Sequence, residues 1–251
     1  MDTLQARSYS ARAGDAVVAG RSAIENPMPA DYAALRRTMV ERQVRTFDVT
    51  DEAVLARMFV VPREKFLPDG LATLAYSDVA IELPSSAGGP PRRLLPPLIF
   101  ARMVQAALVG PRDRVLDVGG ATGYSAAIFG GLALSVVALE RDSGFAAKAK
   151  AALAAEPMPV KVVEGDLTRA PAGEGPFDFV FINGAIEANY EGLLEALAPG
   201  GRLVTIFREP GLVSRAVRYD KDDLGEIGRR ALFDAPAPTL PGFEKAPAFV
   251  F

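Results

Sequence analysis

Val115-Leu116-Asp117-Val118-Gly119-Gly120-Ala121-Thr122-Gly123-Tyr124 reads as a short buried strand that ends in a glycine turn and opens a helix. Small residues directly after a strand permit a tight turn and let a ligand approach the backbone closely. The dinucleotide fingerprint needs glycine at its first, third and sixth positions. Counted from Gly119, those positions hold Gly119, Ala121 and Tyr124, so the pattern fails. The phosphate-loop pattern fails too, because no Gly-Lys-Ser/Thr follows. Asp117 at the strand end disfavours a pyrophosphate but suits an ammonium group.

Outward from this turn, strand and helix patterns alternate. Ser135 to Leu139 is a second apolar run, followed by Glu140, and an Ala-rich helix spans Ser143 to Ala155. Pro159 to Val163 is a third strand, closed by Glu164-Gly165-Asp166. Phe177 to Ile182 and Arg202 to Phe207 are the fourth and fifth. Helices are expected at Thr122–Leu132 and Asn189–Leu197, the latter stopped by Pro199-Gly200-Gly201. The tail from Val213 carries further strand-like pieces, ending at Ala248-Phe249-Val250-Phe251. Such alternation implies an α/β fold, a Rossmann-like, doubly wound, mostly parallel sheet.

Upstream lies a helical segment. Asp31 to Val44 reads as a helix with Asp31 as its cap and Leu35, Met39 and Val40 on one face. Asp51 to Phe59 is a second, with Val54, Leu55 and Met58 inward, broken at Val61-Pro62. Residues 76–93 form a loop or short hairpin, and Pro96-Pro97 opens a helix reaching about Leu108. The expected organisation is a flexible N-terminal extension over 1–27, a helical, substrate-side region over 28–110 and a cofactor-binding core over 111–251.

In open α/β sheets ligands bind at the carboxyl ends of the strands. Asp117, Glu140 and Asp166 fall at three such ends. Glu140 can accept both ribose hydroxyl protons, and Asp166 can bond an adenine amino group. Singly, each acid reads equally as a solvated strand terminus, and the glycines as a plain turn. In order and together they predict an adenosyl sulfonium cofactor, S-adenosyl-L-methionine, held by Asp117, Gly119, Gly120, Gly123, Tyr124, Glu140, Asp166 and Asn183.

Composition narrows the chemistry. With 49% hydrophobic and 24% charged residues the chain is ordinary globular material. It holds no cysteine and no histidine, which removes Cys or His zinc sites, thiol nucleophiles and Ser-His triads. No metal site is expected. A formal charge of -3 speaks against a nucleic-acid partner. No apolar run approaches the roughly 20 residues of a membrane span, and the short Ala16–Ala19 stretch makes no secretory core. A cytoplasmic protein is expected; the oligomeric state is not legible.

The pattern resembles class I methyltransferases, and residues 28–251 resemble the protein-L-isoaspartate O-methyltransferase family. Met39-Val40-Glu41-Arg42-Gln43-Val44 is similar to the family's opening helix, and Asp48 with Val54–Met58 to the next. Val61-Pro62-Arg63-Glu64-Lys65-Phe66-Leu67-Pro68 matches its characteristic turn, followed by Ala75-Tyr76-Ser77-Asp78. Phe177-Asp178 and Leu197-Ala198-Pro199-Gly200-Gly201-Arg202-Leu203-Val204 also match, the latter being common to many methyltransferases.

The resemblance implies methyl transfer to the carboxylate of an isoaspartyl residue in damaged protein or peptide. A carboxylate of pKa about 4 is already ionised at neutral pH, so no strong base is needed. Two departures stand out. Where the family has Gln-Thr-Ile-Ser-x-Pro, aligning on Pro97 puts Arg92, Arg93 and Leu95 at the Gln, Thr and Ser positions. Ala121 replaces a usual glycine. Three outcomes are compatible: Arg92 or Arg93 orients the acceptor carboxylate, the acceptor differs, or the chain is a catalytically altered scaffold that binds cofactor or a protein. The plain reading of Arg92-Arg93 is a solvated loop pair. Asn183 at the fourth strand exit lacks the Pro-Pro-aromatic platform of base methylation; it faces the ligand or satisfies nearby backbone.

Overall fold

A computed structural model describes residues 30–85, 89–154, 158–209 and 211–246. The extension expected over 1–27, Ser86, Gly88 and the strand-like piece at Ala248–Phe251 lie outside the described residues. Helix α1 (Tyr32–Thr38) is capped by Asp31, whose Oδ1 accepts the Ala34 N–H at 3.0 Å. It runs into a π-helical turn, Met39–Val44, that buries Met39, Val40 and Val44. Leu35, expected inward, is 41% exposed. None of α1 is buried; it meets the rest of the protein through Tyr32, whose ring packs near Tyr76 at 6.5 Å, and Arg36, which donates to the Tyr76 hydroxyl at 3.1 Å, and the wider π turn resets the inward face.

Helix α2 (Glu52–Val60) buries Val54, Leu55 and Met58 as its spacing predicts, and the Asp51 carboxylate accepts the Ala53 and Val54 amides. Val61-Pro62 then ends it, and a 3-10 turn (Arg63–Phe66) follows. The expected hairpin is β1 (Ile81–Leu83) against β2 (Arg92–Leu94), antiparallel, with Leu83 opposite Arg92 and Glu82 opposite Arg93. Helix α3 (Pro97–Ala107) starts with proline in its first turn.

The main sheet is built from β3 (Arg114–Val118), β4 (Ser135–Glu140), β5 (Val160–Glu164), β6 (Phe177–Ile186), β7 (Leu197–Phe207), β8 (Arg215–Lys221) and β9 (Ile227–Asp234). Their order is β5-β4-β3-β6-β7-β8-β9. The first five are parallel, and β8 and β9 add on antiparallel. Helices α4 (Tyr124–Phe129), α5 (Ser143–Leu153) and α6 (Glu191–Glu195) connect them. The chain winds from β3 toward β5 and then back from β6 outward, so the direction reverses between β3 and β6. That is the switch point where doubly wound sheets hold ligands.

Period-two alternation splits the strands between two cores. Val115, Phe179, Phe181 and Val204 face one side, where Met39, Leu55, Met103 and Phe129 join them. Leu116, Val118, Val180, Ile182 and Leu203 face the other, with Leu193, Leu240 and Phe243. The first core therefore unites the 28–110 region with the sheet. Among the described residues no helix is long and apolar enough to cross a membrane.

Several bounds differ from expectation. Helix α4 begins two residues late because the turn lasts through Gly123, whose φ of +96° is left-handed, and it ends at Gly130-Gly131. α6 is shorter than Asn189–Leu197, since β7 begins at Leu197 and absorbs Pro199-Gly200-Gly201 as a strand irregularity. β6 extends past Ile182 to Ile186, with a register shift between Phe181 and Ala185 that re-aims Asn183-Gly184.

Candidate cofactor site

The turn after β3 stands at the switch point. Gly119 has φ +69° and Gly123 φ +96°. Ala121 also adopts a left-handed φ, +51°, an alanine where the backbone favours glycine. Its N–H donates to Glu140 Oε2 at 2.9 Å, and Thr122 Oγ1 donates to the Phe66 carbonyl at 2.6 Å. The turn is thus held from below by β4 and from the side by the 3-10 turn.

Asp117 lies beneath the turn, 1% exposed. Ser125 Oγ donates to its Oδ2 at 2.7 Å and Asn183 Nδ2 to its Oδ1 at 2.7 Å. Asn183 also donates to the Val118 carbonyl at 3.1 Å. Burial pushes the Asp117 carboxyl up to about 7, with the Ser125 and Asn183 hydrogen bonds pulling the other way. Asn183 thus satisfies groups at a strand end and couples β6 to β3.

Glu140 is 2% exposed. It accepts the N–H groups of Ala121, of Arg141 at 2.8 Å and of Asp142 at 3.1 Å. It also faces the Arg92 guanidinium, with Nη1 to Oε1 and Nη2 to Oε2 both at 3.3 Å. Arg92 Nη2 donates in addition to the Gly119 carbonyl at 2.7 Å. Burial holds the Arg92 guanidinium below its usual range, and the Glu140 charge opposes that shift.

Arg92 is not the solvated loop residue of the plain reading: it is 5% exposed and donates to Glu140 and to the Gly119 carbonyl. Its neighbour matches the plain reading: Arg93 points outward and pairs with Glu82 at 2.9 Å on the surface. Strand pairing explains both, because β2 alternates buried, exposed, buried. Leu95 is 6% exposed and belongs to the first core, and its carbonyl accepts from the buried Arg63 at 2.7 Å.

Two other residues sit away from the centre. The Tyr124 ring packs between Phe66 and Phe100 at centroid distances of 5.7 and 5.6 Å, beneath the Arg63 guanidinium at 4.6 Å. Its side chain is core, so only its backbone borders the turn. Asp166 is at the rim. Its Oδ1 takes the Thr168 N–H and hydroxyl, it pairs with Arg169, and the Thr168 amide holds its carboxyl below the ordinary range.

Two features escaped sequence reading. Ser125 was findable, since it stands in the first turn of the helix that follows the glycine turn, next to Asp117 near the end of β3. The segment after β9 was not. Ala185 N–H donates to the Pro238 carbonyl and Leu240 N–H to the Ala185 carbonyl, which lays Leu240 over the exit of β6. A Cβ placed on Gly184 would come within 2.7 Å of Leu240, and one on Gly119 within 3.1 Å of Leu240 and 2.6 Å of Arg92. Beside this centre, a cavity of about 250 Å³ borders Arg92, Arg141, Asp142 and Pro241. Another, about 440 Å³, lies at the end of β5 between Arg141, Glu164, Gly165 and Asp166.

A model of the protein-L-isoaspartate(D-aspartate) O-methyltransferase family matches residues 35–233. A protein-L-isoaspartate O-methyltransferase of Methylorubrum extorquens is 38% identical over 185 residues, covering 74% of this chain and 78% of that protein. One from Koribacter versatilis is 33% identical over 204 residues, covering 81% and 89%. In fold, the chain superposes on the crystal structure of a Plasmodium falciparum beta-aspartate methyltransferase in complex with S-adenosyl-L-homocysteine, with a TM-score of 0.67, 18% identity and coverage of 84% and 99%. A further solved protein-L-isoaspartate O-methyltransferase gives a TM-score of 0.71 at 21% identity, covering 84% and 66%. On this match of sequence along most of its length, the chain belongs to the protein-L-isoaspartate(D-aspartate) O-methyltransferase family.

Proposed function

We propose that this chain is the S-adenosylmethionine-dependent enzyme its family membership implies, methylating a carboxylate on protein, and that the carboxylate is that of an isoaspartyl residue. The observation that carries the site assignment is the pair of buried carboxylates, Asp117 and Glu140, flanking a left-handed glycine turn at the switch point. The donor set suits the cofactor. Glu140 and the Gly119 carbonyl are acceptors, as ribose hydroxyls and an ammonium require, and a side chain on Gly119 would fill the cradle.

When bound, the cofactor supplies a methyl group activated on sulfur. The chain's own part is to hold and to exclude. Asp117 fixes Ser125 and Asn183, so the turn and the exit of β6 keep one geometry. Glu140 fixes the turn through Ala121. Leu240 keeps water from the β6 exit. An acceptor carboxylate is ionised without help, so catalysis comes from positioning, worth up to roughly 7–11 kcal/mol in well-oriented systems. Region 28–110 supplies the acceptor side in this reading. The cytoplasm remains the compartment we infer from the sequence.

The test is incubation with labelled cofactor and an isoaspartyl peptide beside its aspartyl counterpart. Label is expected on the isoaspartyl peptide alone, with Glu140→Ala inactive. No transfer to either peptide by the wild-type chain would overturn the acceptor assignment.

A further inference from the structure

The cofactor acceptors are not waiting empty-handed: Arg92 already donates to Glu140 and to the Gly119 carbonyl. We propose that Arg92 is a built-in competitor, a side chain that stands in for the cofactor's hydrogen-bond donors and sets its affinity by having to leave. This rests on the cofactor assignment above.

The geometry supports exchange rather than permanent fixture. Charge-assisted N–H···O⁻ bonds normally measure about 2.7–2.9 Å. Both Arg92–Glu140 contacts are 3.3 Å, so that pair is loose although buried, and the bond to the Gly119 carbonyl, 2.7 Å, is the tighter hold that the cofactor must displace. Glu140 would not be stranded by its departure, since three backbone N–H groups, of Ala121, Arg141 and Asp142, stay on it. The cavity of about 250 Å³ beside Arg92 gives the side chain room to withdraw, toward Asp142. A guanidinium suits the substitution because its planar fork presents several donors at once, bridging the carboxylate and the carbonyl as the cofactor's ribose hydroxyls and methionyl ammonium would.

A ligand that binds only the withdrawn form has its apparent affinity reduced by the fraction of molecules in that form. Removing the fork should therefore tighten binding, chiefly through a faster association rate. The experiment is titration of S-adenosylhomocysteine into the wild-type chain, Arg92→Gln, Arg92→Lys and Glu140→Gln, by calorimetry and surface plasmon resonance. Arg92→Gln is expected to bind at least tenfold more tightly with a little-changed dissociation rate. Arg92→Lys, which cannot bridge both acceptors, should fall between. Glu140→Gln should bind more weakly than wild type. Should Arg92→Gln fail to fold, the order of Arg92→Lys against wild type decides. Equal or weaker binding by the Arg92 variants, with wild type still binding, overturns the competitor role alone. Absence of binding by every folded chain overturns the cofactor assignment and this inference with it.

Discussion

Glu140 ends β4 and Asp166 stands just past the end of the neighbouring β5, and the two acids behave as opposites. Glu140 is enclosed, with three backbone amides and a guanidinium around it. Asp166 is half in water and caps its own turn through Thr168. Both were read from sequence as ligand acids of the same rank. The difference shows that a carboxylate at a strand end acquires its chemistry from what closes over it. The hairpin β1-β2 closes over β4, and nothing among the described residues does so at β5.

The contrast can be broken most severely at Glu140. Alanine there takes the acceptor from the Ala121, Arg141 and Asp142 amides, and each buried donor left unmet costs about 1–3 kcal/mol. The thermal midpoint should fall by roughly 10 °C for a chain of this size. A drop of only a degree or two, as for a surface pair, would mean the enclosure at β4 is not energetically real. Leu240→Ala comes next. The residue is 3% exposed and packs on Gly119 and Gly184, so an effect of about 3 kcal/mol is expected in urea unfolding.

Asp117 sharpens the comparison through pH. Its folded carboxyl lies at about 7, above the ordinary value near 3.9, so the native state holds the extra proton between those two values. Stability attributable to this group is full below pH 4, declines as pH rises to about 7, and is level above that. The wild-type minus Asp117→Asn difference should trace that fall, amounting to a few kcal/mol; a flat difference would contradict the buried, proton-holding state. Ala121→Gly relieves a left-handed alanine and should stabilise by about 1 kcal/mol or less. Smallest of all, Arg93→Ala should change stability by under about 0.5 kcal/mol, because its partner Glu82 is equally exposed. Arg93 and Arg92 differing by one residue and by a whole environment is the β2 alternation made measurable.

Legibility followed the range of the interactions. Strand ends such as Asp117 and Glu140, the cap Asp31, and the inward face of α2 are all written in residues a few positions apart, and they stand where the pattern puts them. Leu35 failed because a π turn, set by packing, changed the face. The direction of the Tyr124 ring is not local either: helix phase one residue past the glycine turn sends it between Phe66 and Phe100. The segment that delivers Leu240 gave only prolines and a glycine to read, which say extended chain and nothing of its destination.

The amino-acid order alone settled the doubly wound α/β plan, the family and the strand-end positions of Asp117 and Glu140, because hydrophobic period, turn chemistry and strand-end charge are local properties. Which acid is enclosed, which of two adjacent arginines enters the crevice, and what covers the glycine turn were decided by tertiary structure. Those outcomes depend on the hairpin and the C-terminal segment meeting at Gly119, a contact between residues 92, 119 and 240 that no local pattern encodes.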